Sequence, residues 1–141
     1  MREIRPTYIK SGEVEVPGSK SYTHRTLIAA ALSDGVCDIV NPLISEDTLL
    51  TREGLARMGI VIADREQTLR VHGANGTLKP SEAPIYLGNS GTSMRLLTAV
   101  AALGSGTYTL TGTSRMAERP IQDLVDALVS LGIDVRTQNN N

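Results

Sequence analysis

Two short stretches combine glycine, hydroxyl and basic residues in an order that suits anion binding. In residues 87–95, Leu-Gly-Asn-Ser-Gly-Thr-Ser-Met-Arg, an apolar run passes through two glycines into an apolar segment. Residues 17–25, Pro-Gly-Ser-Lys-Ser-Tyr-Thr-His-Arg, have the same character. A strand–turn–helix start directs backbone N–H groups and the positive end of the helix dipole at the turn. Each stretch therefore predicts a phosphate or carboxylate site, with a simple cap on a core helix as the alternative.

In residues 17–25, Lys20 is the side chain best suited to bind an anion, because an ammonium group at a helix start contacts phosphates and carboxylates. A nucleotide-binding P-loop is excluded by the spacing. That loop needs glycine immediately before the lysine and again five residues earlier, where this chain has Ser19 and Val14. The plainer alternative is an exposed lysine beside a helix cap.

The two stretches occupy matching places in the two halves of the chain. Arg25 and Arg95 lie about 70 residues apart, and the pattern of apolar and glycine residues that follows each is similar. The aligned pairs are Ala29 with Ala99, Ala31 with Ala101, Leu55 with Leu128, Gly59 with Gly132, Ile60 with Ile133 and Ile62 with Val135. The pattern predicts a duplicated unit, each copy with an arginine at a helix start.

The elements that must position these residues form a mixed α/β chain. We expect strands over 3–10, 13–16, 36–40, 60–63, 68–71, 85–87, 107–111 and 133–135. We expect helices over 21–33, 45–58, 91–103 and 120–131, with Pro120 at the first helical position and glycines just past the helix ends. Residues 73–84 and 112–118 are predicted to be loops.

Composition excludes several classes of function. The 141 residues fit one domain, and 14 basic against 15 acidic residues give a net charge of −1, which offers no argument for nucleic acid or an anionic membrane as partner. Cys37 is the only cysteine, so an internal disulfide is excluded and a reducing, cytoplasmic setting is expected. The sequence shows no signal peptide or long apolar span.

Three motifs together resemble the 5-enolpyruvylshikimate-3-phosphate synthase family: residues 17–25, residues 87–95, and Arg-Met-x-Glu-Arg-Pro at 115–120. Family members have two lobes built from six βαβαββ-type units, of which this chain resembles about the first third. The resemblance implies that residues 1–11 form a strand of the other lobe. It makes residues 12–83 the first unit and residues 84–141 a second, incomplete unit in the same lobe.

The resemblance also implies an activity: transfer of the enolpyruvyl group from phosphoenolpyruvate to the 5-hydroxyl of shikimate 3-phosphate, without a metal or organic cofactor. Lys20, Ser21 and Arg25 match residues that contact shikimate 3-phosphate and phosphoenolpyruvate. The positions that match the phosphoenolpyruvate side are Asn89, Gly91, Thr92 and Arg119. Lys20 and Arg119 are the candidate catalytic residues, and both should border one positive cleft. A plant member would reside in the plastid.

The other lobe supplies most of the family's acid and base, so the isolated chain is expected to lack turnover without the C-terminal portion. Residues 3–10 should then be mobile or pair with a neighbouring molecule, and self-association is expected through them and through the strand near 133–136. Arg95 and Arg115 match family arginines, with a structural ion pair as their alternative role.

Two residues depart from the family pattern. His24 stands where asparagine is expected; we assign it no acid–base role and expect a solvated or capped side chain. Leu96 stands where proline is frequent, which affects the turn that carries Gly91. In the family the inhibitor glyphosate occupies the phosphoenolpyruvate site, and Gly91 leaves room beside it.

Two rival functions remain. UDP-N-acetylglucosamine enolpyruvyl transferases have Lys-Asn at 20–21 and usually a cysteine in the loop at 112–119; this chain has neither. A non-catalytic anion-binding fragment is the rival from another class.

Overall fold

The computed structural model describes residues 3, 4, 6, 8 and 11–137, and it alternates helices with short strands. The elements in chain order are α1 Lys20–Leu32, β1 Val36–Val40, α2 Glu46–Arg57, β2 Val61–Arg65, β3 Thr68–His72, β4 Ile85–Tyr86, α3 Gly91–Ala101, β5 Leu110–Thr111, α4 Ser114–Ala117 and α5 Gln122–Ser130. The chain is therefore the mixed helix and sheet structure that the sequence predicts.

The larger sheet is antiparallel, with strand order β1-β3-β2. Leu69 and Val71 of β3 point toward the helices and are buried. On the opposite face Asp38 pairs with Arg70, whose guanidinium donates two hydrogen bonds to the carboxylate at 2.8 and 2.7 Å. Alternation along the strands thus separates an apolar face from a solvated one. The second sheet is a parallel pair of two-residue strands, β4 and β5.

The core lies where the helices meet the sheet. It is aliphatic, since the chain has no phenylalanine or tryptophan. Leu27 of α1, Leu55 of α2 and Leu97 of α3 are fully buried, and α2 packs against both other helices. Gly54 permits the close α2–α3 contact, because a Cβ there would overlap Cδ1 of Leu97. The core therefore fixes the rotation of α1 and α3, which carry two of the sequence motifs, against α2.

Between residues 20 and 72 the structure agrees closely with the predicted elements. Ser19 caps α1 and Ser45 caps α2, the latter with a reciprocal capping box to Thr48. α2 ends before Gly59, whose φ of 92° is left-handed and favours glycine. The local capping signals in the sequence are sufficient to place these helix ends.

Several predicted strands are wrong. Residues 13–16 form no strand, and Val14 and Val16 are 82% and 72% exposed. Residues 133–135 are also irregular, and the strand predicted over 107–111 shrinks to Leu110–Thr111. Alternating valines supply propensity only, whereas a strand needs a neighbour for its backbone hydrogen bonds, and no described strand pairs with these segments. The strand predicted over 3–10 falls largely outside the described residues, and residues 3, 4, 6 and 8 are not in a strand.

Two boundaries in the second half also differ. The loop predicted over 112–118 contains α4, which Thr113 caps by accepting from the Met116 amide at 3.2 Å. α5 begins at Gln122 with Ile121 as its N-cap, so Pro120 precedes the cap and is not the first helical residue. The carbonyl of Pro120 accepts a hydrogen bond from Arg95 at 2.5 Å.

Candidate functional site

The starts of α1 and α2 lie side by side. Lys20 of α1 forms an ion pair with Asp47 in the first turn of α2. Thr23 Oγ1 accepts from the Leu43 amide at 2.9 Å and so fastens the segment before α2 to α1. Gly18 allows this approach, because a Cβ there would overlap the Asn41 carbonyl oxygen and lie 2.7 Å from the Leu43 nitrogen. The backbone therefore holds Lys20 at a fixed place between two helix starts.

The start of α3 is built by a tight turn. Gly88 adopts a φ of 54°, and its carbonyl accepts from the Thr113 amide at 2.9 Å. Ser90 caps the helix. The guanidinium of Arg119 lies over Gly91, with its Cζ 2.7 Å from where a Cβ would stand, and donates to the Asn89 carbonyl at 3.2 Å. The glycine therefore makes room for the arginine directly beside the first turn of α3.

A cleft of about 230 Å³ opens between α1 and α3. Its lining residues are Ser21, His24, Arg25, Thr92, Arg95 and Leu96. The structure thus brings the predicted residues Ser21, Arg25 and Thr92 together. Asn89, Gly91 and Arg119 lie beside Thr92 outside the lining set, and Lys20 lies beside Ser21 at the start of α1.

Arg119 contacts the start of α3 directly, whereas Lys20 is linked to that helix through Asp47. Asp47, the partner of Lys20, accepts from the Ser93 hydroxyl of α3 through its carbonyl at 3.0 Å. Arg119 meets the same helix at Gly91. Neither side chain is among the residues that line the cleft, so the expectation that both border it stays a prediction.

At the neighbouring starts of α1 and α3, the α1–α3 end, the arginines differ from most of those elsewhere in the way their charge is compensated; outside this end, Arg57 and Arg65 also have no ion pair among the described residues. Within the described part of the chain, four arginines pair with carboxylates: Arg52 with Asp64, Arg70 with Asp38, Arg115 with Glu118 and Arg136 with Asp134. The arginines at the cleft donate to main-chain carbonyls instead: Arg25 to Ser21, Arg95 to Gly91 and Pro120, and Arg119 to Asn89.

A carbonyl oxygen satisfies a donor without neutralising its charge. The structure records no carboxylate partner for Arg25, Arg95 or Arg119 among residues 3, 4, 6, 8 and 11–137. Arg115 has the ion pair that was its alternative role, whereas Arg95 bridges α3 to the segment before α5. The α1–α3 end therefore concentrates positive charge available to an anion.

Asp47 is the acidic residue that pairs with Lys20, and its neighbour Glu46 lies near Gly88. The hydrogen bond from Lys20 is the largest of the effects that lower the pKa of the Asp47 carboxyl, and partial burial opposes it. Asp47 is therefore ionised at neutral pH. The salt bridge joins residues 27 positions apart in sequence, so it becomes visible only when α1 and α2 are placed together.

His24 is buried, contrary to the expected solvated or capped side chain: it is 1% exposed. Its Nδ1 lies 2.8 Å from Thr51 Oγ1, Thr51 Oγ1 lies 2.8 Å from Ser93 Oγ, and Ser93 Oγ lies 2.7 Å from Ser90 Oγ. Burial is the main cause that lowers the pKa of His24, against the attraction of Asp47. Sequence reasoning missed this polar chain, although the run of hydroxyl residues at the start of α3 was a signal.

The described residues contain no group of three or more His, Cys, Asp or Glu side chains arranged to hold a metal ion. Over the same ranges, every helix is too short or too polar to cross a membrane.

Comparison with known proteins points to one family. The sequence profile of EPSP synthase (3-phosphoshikimate 1-carboxyvinyltransferase) matches residues 5–141. The chain is 45% identical to the 3-phosphoshikimate 1-carboxyvinyltransferase of Methanothermobacter thermautotrophicus over 130 residues, covering 92% of this chain and 31% of that protein. It is 48% identical to that of Thiobacillus denitrificans over 129 residues, covering 89% and 30%.

Solved structures show the same likeness. The EPSP synthase from Acinetobacter baumannii superposes with a TM-score of 0.81 at 31% sequence identity, over 87% of this chain and 28% of that one. The chain thus spans a little under a third of the length of the relatives it matches. With a profile match over nearly every residue, the chain belongs to the EPSP synthase family, the 3-phosphoshikimate 1-carboxyvinyltransferases.

Proposed function

We propose that an enzyme of the relatives' length that contains this chain transfers the enolpyruvyl group of phosphoenolpyruvate to the 5-hydroxyl of shikimate 3-phosphate. The observation that carries the proposal is the set of guanidinium groups without carboxylate partners at the α1–α3 end of the described chain, beside Lys20. Both substrates are anions, and positively charged groups are needed to offset their mutual repulsion when they are brought together. Membership of the family supplies the reaction.

We assign the substrate contacts to the residues that the motifs single out. Lys20, Ser21 and Arg25 lie at the start of α1 and bind shikimate 3-phosphate, with Lys20 also reaching phosphoenolpyruvate. The phosphoenolpyruvate side comprises Asn89, Gly91, Thr92 and Arg119. In this arrangement Lys20 and Arg119 stabilise charge during transfer, and the acid and base come from the part of the enzyme beyond this chain.

The proposed architecture has two related units, 12–83 and 84–141, with residues 1–11 belonging to the other lobe. Its support is the resemblance between the two helix starts at the cleft. α1 and α3 each follow a glycine-containing turn and each begin with a serine cap, Ser19 and Ser90. In the complete enzyme the C-terminal portion is the partner that closes the site.

Binding of shikimate 3-phosphate to the 141-residue chain tests the assignment without turnover. We expect calorimetric titration to detect one weak site, and we expect Arg25→Ala to weaken it about tenfold, since a charge-assisted contact is worth about 1.5–3 kcal/mol. Arg57→Ala, at the other end of α2, is the matched control and should bind normally. Equal affinity of the Arg25→Ala variant and the wild type would contradict the assignment.

Gly91→Ala tests the phosphoenolpyruvate side in the complete enzyme. Because the new Cβ would lie 2.7 Å from Cζ of Arg119, the guanidinium must move away from the start of α3. We expect the KM for phosphoenolpyruvate to rise about tenfold and glyphosate to inhibit less strongly. Gly35→Ala, where a Cβ would meet nothing within 4 Å, is the control. Initial rates and inhibition curves that match the wild type would count against the assigned position of Arg119.

A further inference from the structure

The buried chain His24–Thr51–Ser93–Ser90 joins three helices by side-chain hydrogen bonds. His24 belongs to α1, Thr51 to α2, and Ser93 lies in the first turn of α3, which Ser90 caps. All four side chains are at most 1% exposed. These three hydroxyls and the imidazole cannot reach water, so they must hydrogen-bond with one another. A buried polar group without a hydrogen-bond partner costs free energy of folding.

The number of hydroxyl protons in this hydrogen-bonded series determines which ring nitrogen of His24 carries a proton. The carbonyl of Asp47 can only accept, so Ser93 gives it its single hydroxyl proton at 3.0 Å. Ser93 then has no proton for Thr51 and must accept from it. The Ser90 hydroxyl lies 2.7 Å from Ser93 Oγ and also hydrogen-bonds the Asp47 carboxylate. Thr51 has no proton left for His24, so the 2.8 Å contact between them is a hydrogen bond only if the imidazole Nδ1 carries the proton.

The remaining nitrogen, Nε2, is buried and has no hydrogen-bond partner within the described residues. An unpartnered Nε2–H would leave a buried donor unsatisfied and add charge beside the cations of the cleft. The charged groups around the ring are Lys20 and Arg25 on its own helix, Asp47 on α2 and Arg95 on α3, which shares the cleft lining. Burial is the largest effect that favours the neutral ring, and Lys20 and Arg25 act in the same direction against the attraction of Asp47.

This series of hydrogen bonds ends on Asp47, the residue that pairs with Lys20. Its final acceptor is the carbonyl of Asp47, and the carboxylate of the same residue pairs with Lys20. Any change in the position of the Asp47 backbone therefore moves the partner of Lys20 relative to α3.

We propose that His24, neutral and protonated on Nδ1, is a positioning residue that holds the Lys20–Asp47 pair against the start of α3 through Thr51 and Ser93. The inference deepens the proposed function, since it concerns how the anion-binding residues are placed. The imidazole touches none of the proposed substrates in this role; it acts through the hydroxyl chain.

Nitrogen NMR of the labelled 141-residue chain reads the tautomer directly. The chain has two histidines, so His72→Gln leaves His24 as the only imidazole. We expect a neutral ring with the proton on Nδ1. A proton on Nε2, or a doubly protonated ring at pH 7, would overturn the inference.

Two amide variants separate positioning from simple core packing. The side-chain amide of asparagine reaches the place of Nδ1, whereas that of glutamine reaches the place of Nε2. We expect His24→Asn to preserve the depressed pKa of the Asp47 carboxyl and the wild-type affinity for inorganic phosphate. We expect His24→Gln to raise the pKa of that carboxyl and to weaken phosphate binding about fivefold, the loss of one hydrogen bond. Equal behaviour of the two variants would overturn the inference.

The carbon NMR titration of Asp47 distinguishes failure of the role inferred for His24 from failure of the proposed function. If phosphate does not bind the wild type, the anion site is refuted, and the Asp47 titration still decides the role of His24. If phosphate binds and both variants retain the wild-type Asp47 pKa, the role of His24 is refuted and the site stands.

The pH dependence of stability gives a further readout. Since folding lowers the pKa of His24, the unfolded state binds more protons below the ordinary imidazole value of about 6.5. The free energy of unfolding should therefore be highest above that pH and fall as the pH decreases toward the folded-state pKa. We expect His24→Asn to flatten this part of the curve. An unchanged slope in the variant would contradict a neutral, buried ring.

Discussion

Removing the guanidinium of Arg119 should lower kcat/KM for phosphoenolpyruvate by about 10²–10³-fold in the complete enzyme, the usual effect of losing one preorganised charge-stabilising group. Arg119 is exposed and its recorded hydrogen bond is to the Asn89 carbonyl at 3.2 Å. Its charge is therefore not neutralised by a carboxylate among the described residues. Arg119→Ala should leave the melting temperature nearly unchanged, because little packing is lost with the side chain.

Two further variants define what the arginine supplies. Arg119→Lys keeps the charge but loses the planar fork that binds a carboxylate or phosphate with two parallel hydrogen bonds, so we expect only partial recovery of kcat/KM. Arg136→Ala removes an exposed arginine that is paired with Asp134, and should leave the kinetics unchanged. Steady-state rates decide the question, and full activity of Arg119→Ala would refute the assigned role.

The largest effect on stability is expected at the α2–α3 crossing. Leu97 is fully buried, so Leu97→Ala should lower the free energy of unfolding by about 2–5 kcal/mol. Gly54→Ala should gain about 1 kcal/mol of helix propensity. Its Cβ would, however, overlap Leu97 Cδ1 and lie 3.4 Å from Leu87 Cδ2, and overpacking of this kind costs about 1–3 kcal/mol. We expect net destabilisation.

The double variant makes this prediction specific. With Leu97 shortened, the methyl group introduced by Gly54→Ala enters the space that the leucine leaves, and the helix-propensity gain is retained. The double variant should therefore lose about 1–3 kcal/mol less than the sum of the two single losses. Denaturant unfolding of the four proteins measures the coupling. Additive losses would show that Gly54 and Leu97 are not in the contact described.

The first half of the fold was predictable because its signals are local. Serine caps mark the starts of α1 and α2, and Gly59 follows the end of α2. The strands at 13–16 and 133–135 were predicted wrongly, since the alternation of valine and isoleucine does not say whether another strand is available. The two-residue strands β4 and β5 likewise depend on each other for their hydrogen bonds.

The site was predictable in its exposed part and not in its buried part. The motifs named Ser21, Arg25 and Thr92, and the structure places them in one cleft. The role of Thr51 and the burial of His24 were not visible, because a polar residue within a helix has the same appearance in a sequence whether it faces water or the interior. Their contact depends on the rotation of three helices, which Gly54 and the leucine core determine.

The ion pair between Lys20 and Asp47 has a consequence for selectivity among anions. An incoming anion must exchange with a carboxylate that is tethered beside the ammonium and therefore acts at a high effective concentration. Monovalent chloride competes poorly with such an internal counterion, whereas a phosphate ester brings nearly two charges and several acceptor oxygens. The displaced carboxylate is partly exposed and returns to water at little cost. We therefore expect chloride to leave the Lys20–Asp47 pair intact and a phosphorylated ligand to displace the carboxylate.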